Sequence, residues 1–272
     1  MSLHHTITGT GPTVILVHGV VHRGHAWDPI VPLLADHHRV VVVDLPGHGE
    51  SPDVPADAEP VSYMADRLAE FVREVTPAGE RPHIAGNSLG GFLGLELGAR
   101  GLASGVTALS PAGFFRSDAD RRHAGRLFSS IIKAAAVAGP AIPALSRTTI
   151  GRSLFMAVFC ARPWRYPAEA MAIDGAAIGD NTVVTRLLDG DWVFSEPVDE
   201  QLPITVRWGR LDAALLVGQA TQVPRVFPQA RVERTWDGHV PMTDDPAGVA
   251  ATIAADARRG RSRDQGTERA AG

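Results

Sequence analysis

Hydrophobic positions in this chain fall into two rhythms. Short, almost wholly apolar runs, TVILV (Thr13–Val17) and RVVVVD (Arg39–Asp44), have no polar face, as expected of strands covered on both sides of a parallel sheet. HIAGN (His83–Asn87), VTALS (Val106–Ser110) and ITVRW (Ile204–Trp208) predict further strands. RVERTW (Arg231–Trp236) alternates polar with apolar residues and predicts an edge strand. Between the strands the period lengthens. Tyr63–Val75 puts Met64, Leu68, Phe71, Val72 and Val75 on one face of a helix. LGGFLGLELGAR, from Leu89, is apolar nearly all round and predicts a buried helix whose glycines permit close packing on the sheet.

The alternation stops near Gly113. From Phe114 to Pro197 only helical patterns occur, such as AGRLFSSIIKAAAVAG and VVTRLLDGDWVF, and the strand pattern returns at Ile204. These features divide the chain into an α/β core over residues 1–112 and 201–258 and a helical insertion over 113–200. Residues 259–272 carry no apolar periodicity and are expected as a disordered tail.

Composition narrows the picture. With 272 residues, 44% of them hydrophobic and 21% charged, the chain can bury a sizeable core. A net charge of −4 without a long basic stretch argues against a nucleic-acid partner. The single cysteine, Cys160, lies in the apolar run LFMAVFCA and is expected as a buried small hydrophobe; one cysteine excludes internal disulfides and cysteine-rich metal sites. The apolar stretches are interrupted before ~18 residues, so no membrane span is expected. With a polar N-terminus unlike a signal peptide, a cytoplasmic protein is the reading.

The candidate chemistry centres on GNSLG, Gly86–Gly90. A G-x-S-x-G pattern arises by chance in roughly one chain in ten of this length, so context decides its meaning. Here a strand precedes it and a buried helix follows, as a sharp turn that lifts a nucleophilic serine clear of the backbone requires. Ser88 is the candidate nucleophile, and the Leu89 N–H, at a helix N-terminus, one candidate oxyanion donor. His18-Gly19 follows the first apolar strand and puts the Val20 N–H forward as the second, with Val21 a weaker candidate. Among eleven histidines, His239 lies in a loop after the last strand, where a serine-first order needs its base. His4, His5, His37 and His38 are expected in solvent, and His18 as a structural residue. Asp212, in the turn after the preceding strand, is the candidate orienting acid against Asp189, Asp237, Asp244 and Asp245. His22 and His25 have a metal-compatible spacing, but no acidic cluster accompanies them in sequence, and they are placed at the pocket mouth.

HG after the first strand, DLPGHGES (Asp44–Ser51), GNSLGG, WGRLD and GHVPMTDDP occur in the order characteristic of the α/β-hydrolase fold, which the chain resembles over roughly Thr6–Arg258. The insertion resembles the helical cap of the lipase, esterase and haloperoxidase-like members. The resemblance implies Ser88 as nucleophile, His239 as base, Asp212 as orienting acid, the Val20 and Leu89 amides as oxyanion hole, and no metal or organic cofactor. DLPGHGES is read as a structural loop. A serine at the turn argues against haloalkane dehalogenases and epoxide hydrolases, which use a carboxylate there. HGVVHRGHAW lacks the HGGPG of proline iminopeptidases and the GPGAS-like loop of carbon–carbon bond hydrolases, although Asn87 is shared with the latter. The implied activity is cleavage of a small to medium apolar ester through an acyl-enzyme. The alternatives are a carbon–carbon bond hydrolase, a lyase, a perhydrolase or a ligand-binding receptor that turns over poorly. Val21, His25, Phe114, Phe128 and Val240 are expected to line the pocket. The oligomeric state is left open.

Overall fold

The computed structural model describes residues 2–180, 182–188, 190, 192–194 and 199–271. Seven strands form one sheet in the order β1-β3-β2-β4-β5-β6-β7. They are β1 (His5–Thr8), β2 (Thr13–Val17), β3 (Arg39–Val43), β4 (His83–Asn87), β5 (Gly105–Leu109), β6 (Ile204–Gly209) and β7 (Arg231–Thr235). All neighbours are parallel except β1, which runs antiparallel to β3. The six expected strands are present, with RVERTW at an edge. β1 is the addition: its four residues, HTIT, are too few and too polar to register as an apolar run.

The helices are α1 (Val31–Leu34), α2 (Pro60–Val75), α3 (Leu89–Ala99), α4 (Asp118–Ala138), α5 (Ile142–Ser146), α6 (Thr149–Met156), α7 (Ala168–Asp180), α8 (Thr182–Leu188), α9 (Val223–Val226), α10 (Pro241–Asp244) and α11 (Pro246–Ala271). Because strand side chains alternate between faces, β2 sends Ile15 and Val17 into a core with Met64 and Leu68 of α2 and Phe92 of α3. Val14 and Leu16 point the other way, into a core with Trp27, Ile30 and, from α11, Val249 and Ile253. The two cores explain the unbroken apolar reading of the central strands. Helices α4–α8 all fall between β5 and β6; Phe128 of α4, Met156 of α6 and Phe159 in the turn after α6 extend the second core.

Residues expected as a disordered tail instead continue α11 through Ala271. Polar contacts, invisible to an apolar-periodicity reading, hold this helix down. Buried Asp256 accepts from Thr107 Oγ1 at 2.6 Å and pairs with Arg259, which also reaches Thr205. Arg81 pairs with Asp264, and Arg263 with Asp199. His38, expected in solvent, is buried under α1 with Nδ1 3.2 Å from the Leu34 carbonyl oxygen. One helical stretch, Asp118–Ser146, is long and apolar enough to cross a membrane by length and composition; the sequence reading anticipated no such stretch.

His83 closes the polar network under α11. Its Nε2–H donates to Thr107 Oγ1 at 2.9 Å, while Nδ1 is buried without a partner. Burial, with a smaller push from His38, lowers its pKa from the ordinary 6.5 to about 3. Between these two values the unfolded chain binds a proton that the folded one refuses, so stability falls as the pH drops below 6.5. His83→Gln keeps a hydrogen-bonding group and removes the titration. The slope of unfolding free energy against pH between about pH 4 and 6, from urea denaturation, should fall by roughly 1 kcal/mol per pH unit in this variant. An unchanged slope would show that His83 takes up its proton within the fold.

Candidate active site

The β4–α3 junction permits no side chains at its two glycines. A Cβ on Gly86 would lie 2.0 Å from the Gly90 oxygen, and one on Gly90 2.2 Å from the Val17 oxygen. The chain therefore turns within Ser88, whose φ of +56° is in the region that disfavours all but glycine. Ser88 N–H donates to the Leu109 carbonyl of β5 at 2.9 Å, fixing the turn to the neighbouring strand. Leu89 begins α3, so its N–H has no partner within the helix.

His239 and Asp212 meet at this end of the sheet. His239 Nδ1 lies 2.8 Å from Asp212 Oδ2. Asp212 Oδ1 accepts the N–H groups of Ala214 and Leu215 at 2.9 and 2.8 Å, which orients the carboxylate. With Nδ1–H donated to Asp212, Nε2 is left as the acceptor. Ser88, Asp212 and His239 are all buried, at 4%, 4% and 2% exposure. Asn87 brings the serine and histidine segments together: its side-chain N–H groups donate to the His239 carbonyl at 2.8 Å and to the Leu109 carbonyl at 3.0 Å. The sequence reading assigned Asn87 no role, since nothing local marks which distant carbonyls it would reach.

The other acids are committed elsewhere. Asp237 and Asp245 both pair with Arg207 Nη2, at 2.8 and 2.5 Å. Asp244 accepts three backbone N–H groups, from Ala161, Arg162 and Gly238. Asp189 lies outside the described residues. Asp44 of DLPGHGES holds the Gly24 and Glu50 N–H groups and His4 Nδ1, a loop-fixing role.

On the loop after β2, His18 Nε2 accepts from the Leu45 N–H and Nδ1 donates to the Gly19 carbonyl. Burial, then the nearby His48, lowers its pKa to about 3, so it is a neutral structural residue. Val20 follows, and Val21 has a φ of +67°, a strained value for a β-branched residue. His22 is buried and His25 mostly so, and a carboxylate meets them after all: Asp174 of α7 lies 3.1 Å from His25 Nε2 and accepts from Tyr166 Oη at 2.8 Å. Burial opposes charge on His25, but the bond to Asp174 and its negative charge prevail and raise the pKa. Among the described residues no group of three His, Cys, Asp or Glu could hold a metal.

A cavity of about 380 Å³ lies under the insertion, lined by Val21, His22, Ile131, Phe155, Met171 and Ile178 among others. Of the five residues expected to line the pocket, only Val21 does so. Phe114 is packed in the first core against Trp208 and Phe227. Phe128 is buried behind the wall against Phe159, Val240 is fully buried, and His25 faces a second hollow with His4 and Asp44. The aromatic count of the insertion could not separate wall from core. Neither Ser88 nor His239 lines the cavity; Phe159, whose ring lies 6.3 Å from that of His239, stands between. Burial raises the Cys160 thiol pKa well above its ordinary value, in keeping with a small core residue.

The sequence profile of the Alpha/beta hydrolase family matches residues 14–252. A pimeloyl-[acyl-carrier protein] methyl ester esterase of Aeromonas hydrophila is 44% identical over 89 residues, 33% of either chain, so the match spans a third of that relative's length. An uncharacterized Mycobacterium tuberculosis protein is 25% identical over 263 residues, covering 89% of this chain and 74% of the other. The structure of an esterase from Exiguobacterium antarcticum aligns with a TM-score of 0.74 at 18% identity, covering 94% of this chain and 95% of that one. A thermophilic esterase from Thermogutta terrifontis aligns with a TM-score of 0.62 at 23% identity, over 95% and 93%. At these identities the structural likeness speaks for the fold alone.

Replacing Asn87 with leucine fills the same space but leaves the buried His239 carbonyl without a donor and the Leu109 carbonyl with only the Ser88 N–H. Unfolding in urea should show a loss of roughly 1.5–4.5 kcal/mol, the cost of one unsatisfied buried group and one lost hydrogen bond. A loss below about 1 kcal/mol would mean that Asn87 does not join the two segments.

Proposed function

The chain belongs to the alpha/beta hydrolase family, and we propose that it cleaves a small to medium apolar carboxylic ester through Ser88, His239 and Asp212. The observation that carries the reading is the Asn87 bond to the His239 carbonyl. It ties a histidine already held by a carboxylate to the residue preceding a serine in a strained turn.

His239 Nε2 takes the Ser88 proton as Oγ attacks the acyl carbonyl, forming the C–O bond and moving the carbonyl electron pair onto oxygen. The Leu89 and Val20 N–H groups receive that oxyanion, each worth about 3 kcal/mol in the transition state. Asp212 stabilises the imidazolium and keeps the Nδ1–H tautomer. The oxyanion collapses, the C–O bond to the alcohol breaks, and His239 gives the alcohol its proton. Water, deprotonated by the same nitrogen, then releases the acid and restores Ser88.

The cavity beneath the insertion falls in the ~300–1,000 Å³ range of small-ligand pockets, and its apolar lining supports an acyl or aromatic group as occupant. The insertion acts as a cap. Because Phe159 separates the cavity from His239, substrate reaches Ser88 when Phe159 and its segment shift. Ester cleavage is preferred over carbon–carbon cleavage because the loop after β2 carries HGVVHRGHAW. The esterase relative supports the same class.

A fluorophosphonate probe should label the parent protein and leave Ser88→Ala unlabelled, with ester hydrolysis lowered at least ~10⁴-fold. Absence of labelling in the parent would refute the reading. On p-nitrophenyl esters of graded acyl length, kcat/KM should pass through an optimum set by the cavity. Asp212→Asn should lower kcat by ~10⁴-fold, whereas Asp237→Asn, which removes one of the two carboxylates paired with Arg207, should show its main effect in stability. The reverse pattern would reassign the acid.

A further inference from the structure

The outer face of the insertion has a composition unlike the rest of the molecule. From Arg121 to Tyr166 the chain carries eight Lys or Arg and no Asp or Glu, although its net charge is −4. None of these eight is in an ion pair among the described residues. Arg121, Arg122, Arg126, Lys133, Arg147 and Arg165 are exposed. Between Lys133 and Arg147 no charged residue occurs at all.

The insertion also exposes large apolar side chains, Val137 at 86%, Ile150 at 74%, Leu154 at 72% and Trp164 at 49%, and Val137 lies one turn beyond Ala134, which lines the cavity together with Leu154. Ile150 and Leu154 are four apart on α6 and so share a side. Arg152 ties α6 to its neighbours by donating to the Ser146 and Trp164 carbonyls, placing Trp164 beside that helix. The cavity opens here, since its lining includes the exposed residues Ser130, Ala134 and Leu154.

We propose that this face docks on an anionic lipid surface, with Val137, Ile150, Leu154 and Trp164 entering the acyl boundary and Lys133, Arg147 and Arg165 meeting lipid phosphates. Apolar side chains ringed by unpaired cations are the pattern of an interfacial element. Although Asp118–Ser146 is apolar enough to span a bilayer, Ala124, Phe128 and Ala135 of α4 are buried against the protein. The helix therefore lies on the surface. A second copy of the chain is a poorer occupant, because a two-fold contact would set this cationic face against itself. Docking puts the cavity mouth against the lipid, so an ester dissolved in the bilayer reaches the cavity without crossing water. That delivery step rests on the ester-cleaving reading above; the docking does not.

Co-sedimentation of the full chain with vesicles tests it, using phosphatidylcholine alone and phosphatidylcholine mixed with phosphatidylglycerol. Binding to the mixed vesicles at low salt should be at least about tenfold tighter than to the neutral ones, and should weaken as salt is raised. Val137→Glu/Ile150→Glu and Lys133→Glu/Arg147→Glu should each lose that preference while keeping the parent's circular dichroism and melting temperature. Neither pair includes a cavity-lining residue, so hydrolysis of a soluble p-nitrophenyl ester should be retained. Ser88→Ala should bind vesicles as the parent does, which separates docking from catalysis. No binding, equal binding to both vesicles, or full binding by the folded double variants would overturn the proposal. So would a parent dimer, indifferent to vesicles, that Val137→Glu/Ile150→Glu converts to monomer.

Discussion

Two hydrogen bonds from one side chain hold together the end of the sheet that carries Ser88 and His239. Asn87 is the last residue of β4 and is buried beyond the reach of water. Its two amide protons go to Leu109, at the end of β5, and to His239, in the loop after β7. Three strand ends are thereby held by a group that cannot trade its partners for solvent. The strained turn at Ser88 depends on this frame. A positive φ at a serine persists only where its surroundings over-determine it, and here the Leu109 carbonyl takes both the Ser88 N–H and an Asn87 proton.

Much of the fold was legible because burial on two faces leaves an unbroken apolar run, which short parallel strands cannot disguise. The order of GNSLGG, WGRLD and GHVPMTDDP was legible too, since each motif follows a strand and the topology brings those strand ends to one edge. What escaped the sequence was long-range polar pairing. Nothing near Asn87 points to residue 239, and nothing near His25 points to Asp174, which lies 149 residues further on. The last turns of α11 look structureless because Asp256, Arg259 and Asp264, not apolar residues, anchor them. Phe114 and Phe155 are alike as letters. One fills the core beside Trp208 and the other lines the cavity, a difference set by the loop after β5 and the helix α6 that carry them.

Beside its apolar packing on the cores, the insertion is joined to the rest of the chain by specific polar contacts around its rim. His123 of α4 reaches the Ala213 carbonyl, beside Asp212, at 2.8 Å. Asp174 of α7 holds His25, and Arg186 of α8 donates to the Pro55 carbonyl at 3.0 Å. Each contact is of the kind worth about 1 kcal/mol or a little more. Single contacts of this size can open locally while the packing on the two faces of the sheet holds.

Asp244 gives that attachment a further meaning. Its carboxylate takes the N–H groups of Ala161 and Arg162 from the insertion and of Gly238 from the histidine loop, while the Phe159 carbonyl takes the N–H of Val240. His239 is thus flanked on both sides by bonds to the segment that shuts it in. On the ester-cleaving reading proposed above, an outward shift of residues 159–162 that opened the way to Ser88 would at the same time break the bonds that hold the His239 loop, so guests would be selected at closure and not by the shape of the doorway.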